Sequence, residues 1–170
     1  MTRFFLMIRA LVYITGFVAF WGWLALRLNR VVDGAVPALP SAVQVPGVVL
    51  ILLGAIVALT CVATFVLQGR GTPAPFDPPR IFVPTGPYRW VRNPMYLGAL
   101  LVLVGFGLWR TSLTMILFAF AAAGAAHLFV VFYEEPTLKR RFGVQYMTYL
   151  MLVHRWLPKR PRYGWGRPPN

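Results

Sequence analysis

Two short stretches hold most of the residues able to do chemistry in this 170-residue chain. The first is Gly86-Pro87-Tyr88-Arg89-Trp90-Val91-Arg92-Asn93-Pro94-Met95-Tyr96. The second is Glu134-Glu135, half of the chain's four acids, the others being Asp33 and Asp77. In the first stretch, Thr85-Gly86-Pro87 signals a turn. Asn93 followed by Pro94 signals a helix start, with a capping side chain and then proline at the first helical position. The unpaired N–H groups and positive dipole end of such a helix suit an anion such as a carboxylate, and Arg89 and Arg92 strengthen that field. Paired carboxylates suit an ammonium group or sugar hydroxyls. Brought together, the two stretches would hold a zwitterion. Separately each has a plainer reading: a juxtamembrane Arg/Trp/Tyr belt, and a salt bridge from Glu135 to Lys139 one helical turn on.

What positions these residues is legible in composition. The chain is 58% hydrophobic and 12% charged, against roughly 45–50% and about 25% in a soluble domain. Lipid is therefore the expected solvent. Apolar stretches run over 4–26, 47–67, 95–109 and 111–133. A spanning helix needs roughly 20 residues, so the third, over 95–109, is short and is expected to begin below the membrane surface or line a cavity. Only Arg110 separates the third from the fourth, which predicts a tight hairpin. Matched hairpin ends would return Asn93 and Glu134 to one level, although they lie about 40 residues apart. That convergence is the strongest argument from residues alone for a small-molecule site.

The expected fold is all-α: a polytopic transmembrane helix bundle with about four spans and a C-terminal amphipathic interfacial helix. Residues 1–67 would form two N-terminal spans, and 68–93 a proline-rich cytoplasmic loop. Residues 94–158 would form the hairpin plus a C-terminal helix that together carry the site, and 159–170 a basic tail, disordered after Pro161. Over 138–157, Phe142, Tyr146, Tyr149, Leu150, Val153 and Trp156 recur at helical spacing, with Lys and Arg on the other side. Pro136 disfavours helical continuation at Glu135.

Seventeen Lys and Arg give a net charge of +13. Four spans place all but Arg27, Arg30 and Arg110 on one side, which the positive-inside bias makes cytoplasmic together with both termini. In a bacterium the membrane would be the inner one. No recognition motif accompanies the charge, so nucleic acid is not an expected partner; anionic lipid is. Cys61 is the only cysteine, which excludes an intrachain disulfide, and no Cys/His metal pattern exists. The apolar N-terminus has no convincing small-residue cleavage site and reads as a retained helix rather than a signal peptide. His127 lies inside the fourth apolar stretch, seven residues before Glu134 and so on its face. It reads as a hydrogen-bonded bundle histidine, with cavity access or haem ligation as alternatives.

The pattern Gly86-Pro87-Tyr88-Arg89-x-Val91-Arg92-Asn93-Pro94-x-Tyr96, an apolar stretch, then Glu134-Glu135-x-x-Leu138-x-x-x-Phe142-Gly143-x-x-Tyr146-x-x-Tyr149 resembles the isoprenylcysteine carboxyl methyltransferase family and its phospholipid methyltransferase relatives. The resemblance covers about 80–158; the first two helices match in hydropathy only. It implies a membrane methyltransferase that binds S-adenosyl-L-methionine from the cytosol and a lipophilic small-molecule or lipid acceptor from the bilayer. Carried residue by residue, it makes Tyr88, Arg92, Asn93, Pro94, Tyr96, Glu134 and Glu135 cofactor-binding residues. Arg155 would bind an acceptor carboxylate or headgroup phosphate. Relatives often have His where Asn93 stands and Pro where His154 stands. An amide cannot titrate near neutrality, so no acid–base role falls to Asn93. The acceptor group (carboxylate, thiol or lipid headgroup) stays open. Two other readings also stay open: a nicotinamide-dependent membrane reductase of related fold, and a non-enzymatic assembly or haem-binding protein using His127 and His154.

Overall fold

The computed structural model describes residues 3–32, 38–69 and 81–158, and among these it is helical without a strand. The expectations for 70–80 and for the basic tail over 159–170 lie outside the described residues. Five helices follow in order: α1 (Arg3–Val32), α2 (Gln44–Thr64), α3 (Pro94–Trp109), α4 (Leu113–Phe129) and α5 (Glu135–Leu152). The continuous helical stretches Ser41–Gln68 and Leu113–Leu152 are long and apolar enough to cross a membrane. Leu52, Leu53, Ile56 and Leu59 on α2 are exposed, as are Leu117, Phe120 and Leu128 on α4. Such helices need an apolar solvent around them. At about 1.5 Å per residue, α3 is roughly 24 Å long, short of a hydrocarbon core of about 30 Å.

Glycine sets the closest helix contact. Gly47 and Gly54 lie two turns apart on one face of α2, as do Gly98 and Gly105 on α3. A Cβ at Gly54 would sit 2.5 Å from the Gly98 carbonyl oxygen, and one at Gly47 would sit 2.7 Å from that of Gly105. The pairing of 47 with 105 and 54 with 98 makes the two helices antiparallel. In lipid, where burial of apolar surface does not drive helices together, such close backbone approach gains van der Waals contact instead.

The turn between α3 and α4 is tight, as the single Arg110 predicts, but it needs two further residues. Thr111 takes a positive φ of 51°. Ser112 is the N-cap of α4, its hydroxyl accepting from the Met115 amide at 3.3 Å. The same hydroxyl donates to Asn29 near the end of α1. The Leu39 amide donates to the Thr111 carbonyl at 2.8 Å. These bonds tie the α1–α2 connection to the hairpin.

Pro136 does not end the helix. The turn Val130–Glu134 widens to π-type bonding and runs directly into α5, with Pro136 in its first turn. A proline there lacks an N–H that the wide turn does not need. The break falls later, at Gly143, whose φ of 52° and ψ of −127° bend α5. Beyond the bend, Tyr146, Tyr149 and Val153 are buried against Phe82, Phe142 and Leu150. The outer side carries exposed Val144, Met147 and Met151 rather than the Lys and Arg expected there; the basic residues lie before the bend, at 139–141.

Candidate functional site

The two polar stretches meet at one end of the α3–α4 hairpin. The chain reaches α3 through the helical turn Gly86–Arg89. Gly86 supplies a φ of +57° where a Cβ would lie 2.8 Å from the Thr64 hydroxyl, so glycine is needed there for both space and dihedral. Tyr88 follows and is buried. Its ring packs on Phe65 at 4.9 Å, and its carbonyl accepts from the Tyr149 hydroxyl at 2.7 Å. Burial pushes the Tyr88 phenol well above its ordinary range, so it stays protonated. Arg89 is exposed.

Glu135 is the centre of an ionic junction. Arg92 Nη1 donates to its Oε1 at 2.8 Å, while Arg155 donates from Nε to Oε1 at 2.8 Å and from Nη2 to Oε2 at 3.0 Å. The Arg155 contact is the bidentate fork that guanidinium and carboxylate geometry favours. Bonding to Glu135 raises the Arg155 guanidinium further above its ordinary range, so it stays charged. The hydrogen-bonded partners of Glu135 thus come from the loop before α3 and from the chain after α5, with Lys139 acting on it only as a nearby charge. Arg92 Nε is buried without a hydrogen-bond partner.

Glu134 turns elsewhere. Its Oε2 accepts from the Tyr96 hydroxyl at 2.8 Å, joining the first turn of α3 to the end of the π-type turn. Adjacent carboxylates therefore serve different neighbours: one is neutralised by two arginines, the other is held by a phenol.

Asn93 occupies the N-cap position of α3 and Pro94 the first helical one, as expected, and both are buried. The capping bond is not made. Asn93 Nδ2 instead donates to the Arg155 carbonyl at 3.2 Å. No side chain caps α3, so its first turn keeps the donor character that suits an anion.

Sequence reasoning read 153–157 as the end of an interfacial helix and took only Arg155 from it for the site, whereas α5 ends at Leu152 and the chain continues as a strap. Five hydrogen bonds pin it across the site: Arg92 N to the His154 carbonyl at 2.9 Å, Asn93 to the Arg155 carbonyl, two from Arg155 to Glu135, and Trp156 Nε1 to His127 Nδ1 at 2.9 Å. Trp156 also meets the Tyr96 ring edge-on at 6.3 Å. His127 is thus a hydrogen-bonded histidine of the bundle. The one sequence signal for Trp156 was its helical spacing, which pointed to an interfacial helix instead. Among the described residues no group of three His, Cys, Asp or Glu is placed to hold a metal.

Beyond Tyr96 opens an apolar groove of about 440 Å³ between α3, α4 and α1, lined among others by Ala99, Leu103, Ala122, Ala126 and Trp21. Tyr96 belongs to both regions: its ring lines the groove and its hydroxyl holds Glu134.

Comparison with known proteins bears on this arrangement. No curated protein and no solved structure matches the chain. The family model for phospholipid methyltransferase matches residues 42–145, from the turn before α2 to the bend region of α5. That span includes both polar stretches and leaves out α1 and the strap. Its extent over most of the chain, with the meeting of the two stretches it contains, shows that the chain belongs to the phospholipid methyltransferase family, membrane methyltransferases of lipid-like substrates.

Proposed function

We propose that this chain transfers the methyl group of S-adenosyl-L-methionine to a lipophilic acceptor at the junction of α3, α4 and the strap. The carrying observation is the meeting of an uncapped helix start, two arginines and two carboxylates at one end of a helical hairpin. The residues fit the cofactor's amino-acid portion. Arg92 has a buried Nε with no partner, and the first turn of α3 after Asn93 and Pro94 offers backbone donors; both suit a carboxylate. Glu134 accepts one bond from Tyr96 and, as a carboxylate, has capacity for an ammonium or ribose hydroxyl. Glu135 is assigned to hold Arg92 and Arg155 in place, and Tyr88 to anchor the loop on α2.

When bound, S-adenosyl-L-methionine supplies an electrophilic sulfonium methyl for in-line displacement. The protein's part is to orient and to exclude water, and orientation alone can supply several kcal/mol of barrier reduction. A carboxylate or thiolate acceptor needs no general base. The Arg155 side chain, 31% exposed while bonded to Glu135, supports assigning it to an anionic group of the acceptor. In the membrane we read α1 and α3 as further spans, making four, with the site at the cytoplasmic face and the basic termini on that side.

The test is calorimetric titration of the purified protein with S-adenosylhomocysteine and, separately, with NADPH. The expected result is binding of the first alone, weakened at least tenfold by Glu134→Gln. Binding of NADPH alone would favour the reductase reading. Labelled S-adenosyl-L-methionine incubated with membranes, followed by product mass, then identifies the acceptor.

A further inference from the structure

The groove beside Tyr96 has a length, a width and an end. Its lining on α3 repeats as Tyr96, Ala99, Leu100 and Leu103, one helix face. On α4 it runs from Phe129 to Ala119, almost all alanine. Seven residue steps along one helix and ten along the other, at about 1.5 Å each, give a depth of about 10–15 Å, the reach of roughly eight to twelve chain carbons. At the deep end, Trp21 of α1 lines the wall and its ring packs against Phe118 at 5.7 Å. Alanine sets the width: each larger side chain at 122 or 126 would enter the space directly. At the shallow end the lining becomes polar only at Tyr96, the residue that bonds Glu134.

We infer that this groove measures the acceptor: it takes one hydrocarbon chain, with the methyl-accepting group at Tyr96 and chain carbons reaching toward Trp21, so that Ala122 and Ala126 set the permitted width and Trp21 the preferred length. The occupant is a single chain because 440 Å³ is little more than one such segment fills. It is hydrocarbon because, among the described lining residues, all but Tyr96 and Trp21 are alanine, leucine or phenylalanine. Continuity of the groove with the polar junction is what assigns the chain to the acceptor rather than to a passing membrane lipid. The inference rests on the methyl-transfer reading for the acceptor's role, but occupancy of the groove is tested without turnover.

The probe is a single-chain dodecyl phosphocholine carrying a diazirine near its tenth carbon, photolysed with the full chain in nanodiscs of saturated phosphatidylcholine. Labelled peptides are mapped by mass spectrometry, with alkyl phosphocholines of 8, 12 and 16 carbons as competitors. The expected result is labelling concentrated at Trp21, Leu103 and Ala122, best blocked by the 12-carbon competitor. Ala122→Phe should cut that labelling at least tenfold, whereas Leu117→Phe on the exposed side of α4 should not. Trp21→Ala, which removes bulk, should shift the best competitor to 16 carbons. Labelling spread evenly over exposed positions such as Leu52, Ile56 and Leu117, or insensitive to Ala122→Phe and Trp21→Ala alike, would overturn the inference. S-adenosylhomocysteine titration of the same samples separates the two ideas. Groove labelling without its binding sinks the methyl-transfer reading and keeps the chain site; binding without groove labelling does the reverse.

Discussion

Tyr96 and Glu134, 38 residues apart in sequence, are joined by a 2.8 Å hydrogen bond from phenol to carboxylate. This bond closes the α3–α4 hairpin at its polar end and divides an ionic junction from an apolar groove. Removing the hydroxyl with Tyr96→Phe leaves the groove wall intact and takes away the donor. Hydrogen bonds to charged groups are worth about 1.5–3 kcal/mol, so a loss near the lower end is expected. It is read as a lowered thermal midpoint in detergent together with weaker S-adenosylhomocysteine binding. An unchanged midpoint and affinity would mean that the phenol does not hold Glu134.

Glu135 holds two arginines, and the order of effects follows from that arithmetic of charge. Glu135→Ala leaves Arg92 and Arg155 facing each other without a counterion, a change that costs about 3–5 kcal/mol for a buried pair. The 31% exposure of the Arg155 side chain discounts this toward the lower figure. Arg155→Ala should cost less, about 1–2 kcal/mol, because Glu135 keeps Arg92. Denaturation midpoints of the two variants decide; equal or reversed effects would contradict the geometry.

Gly54→Leu should prevent α2 and α3 from meeting. Its Cβ would lie 2.5 Å from a backbone oxygen and 2.9 Å from the Leu101 Cβ, neither of which can swing away. Overpacking costs typically 1–3 kcal/mol where side chains can adjust, and more is expected here. Gly124→Ala is the matched control, since nothing lies within 4 Å of its Cβ. Yield of monodisperse protein after size-exclusion chromatography should fall sharply for the first and stay near that of the parent for the second.

Gly143→Ala tests dihedral strain without a clash. No atom lies within 4 Å of the added methyl, but φ is +52°. Holding an L-residue in such a region costs of order 1–3 kcal/mol. The bend places Tyr149 on the Tyr88 carbonyl, so the variant should lose stability and loosen the loop before α3. Faster amide hydrogen exchange over 86–93 would show this; unchanged exchange would place the bend's importance elsewhere.

The length of α3, the hairpin and the two polar stretches were legible in the chain itself. Apolar length is dictated by the membrane and helical rise by the backbone, so 95–109 became α3 at Pro94–Trp109 with almost no adjustment. Proline at 94 and glycine at 86 marked a helix start and a turn for local steric reasons that no partner alters. Charge composition likewise announced lipid before any contact was known.

What only the tertiary structure decided is direction. A side chain's heading is the running total of every residue's rotation before it. The wide turn at Val130–Glu134 and the bend at Gly143 change that total in ways hydrophobic spacing does not record. Hence the sequence pointed to Glu134 and Glu135 together, whereas the fold sends one to Tyr96 and the other to Arg92 and Arg155. The Asn93 amide left its own helix for the Arg155 carbonyl because the strap lies there, and Trp156 reached His127 for the same reason. The glycine contact of α2 with α3 and the alanine-walled groove depend on which helix faces lie together in lipid, where hydropathy is uniform and shape chooses the partner.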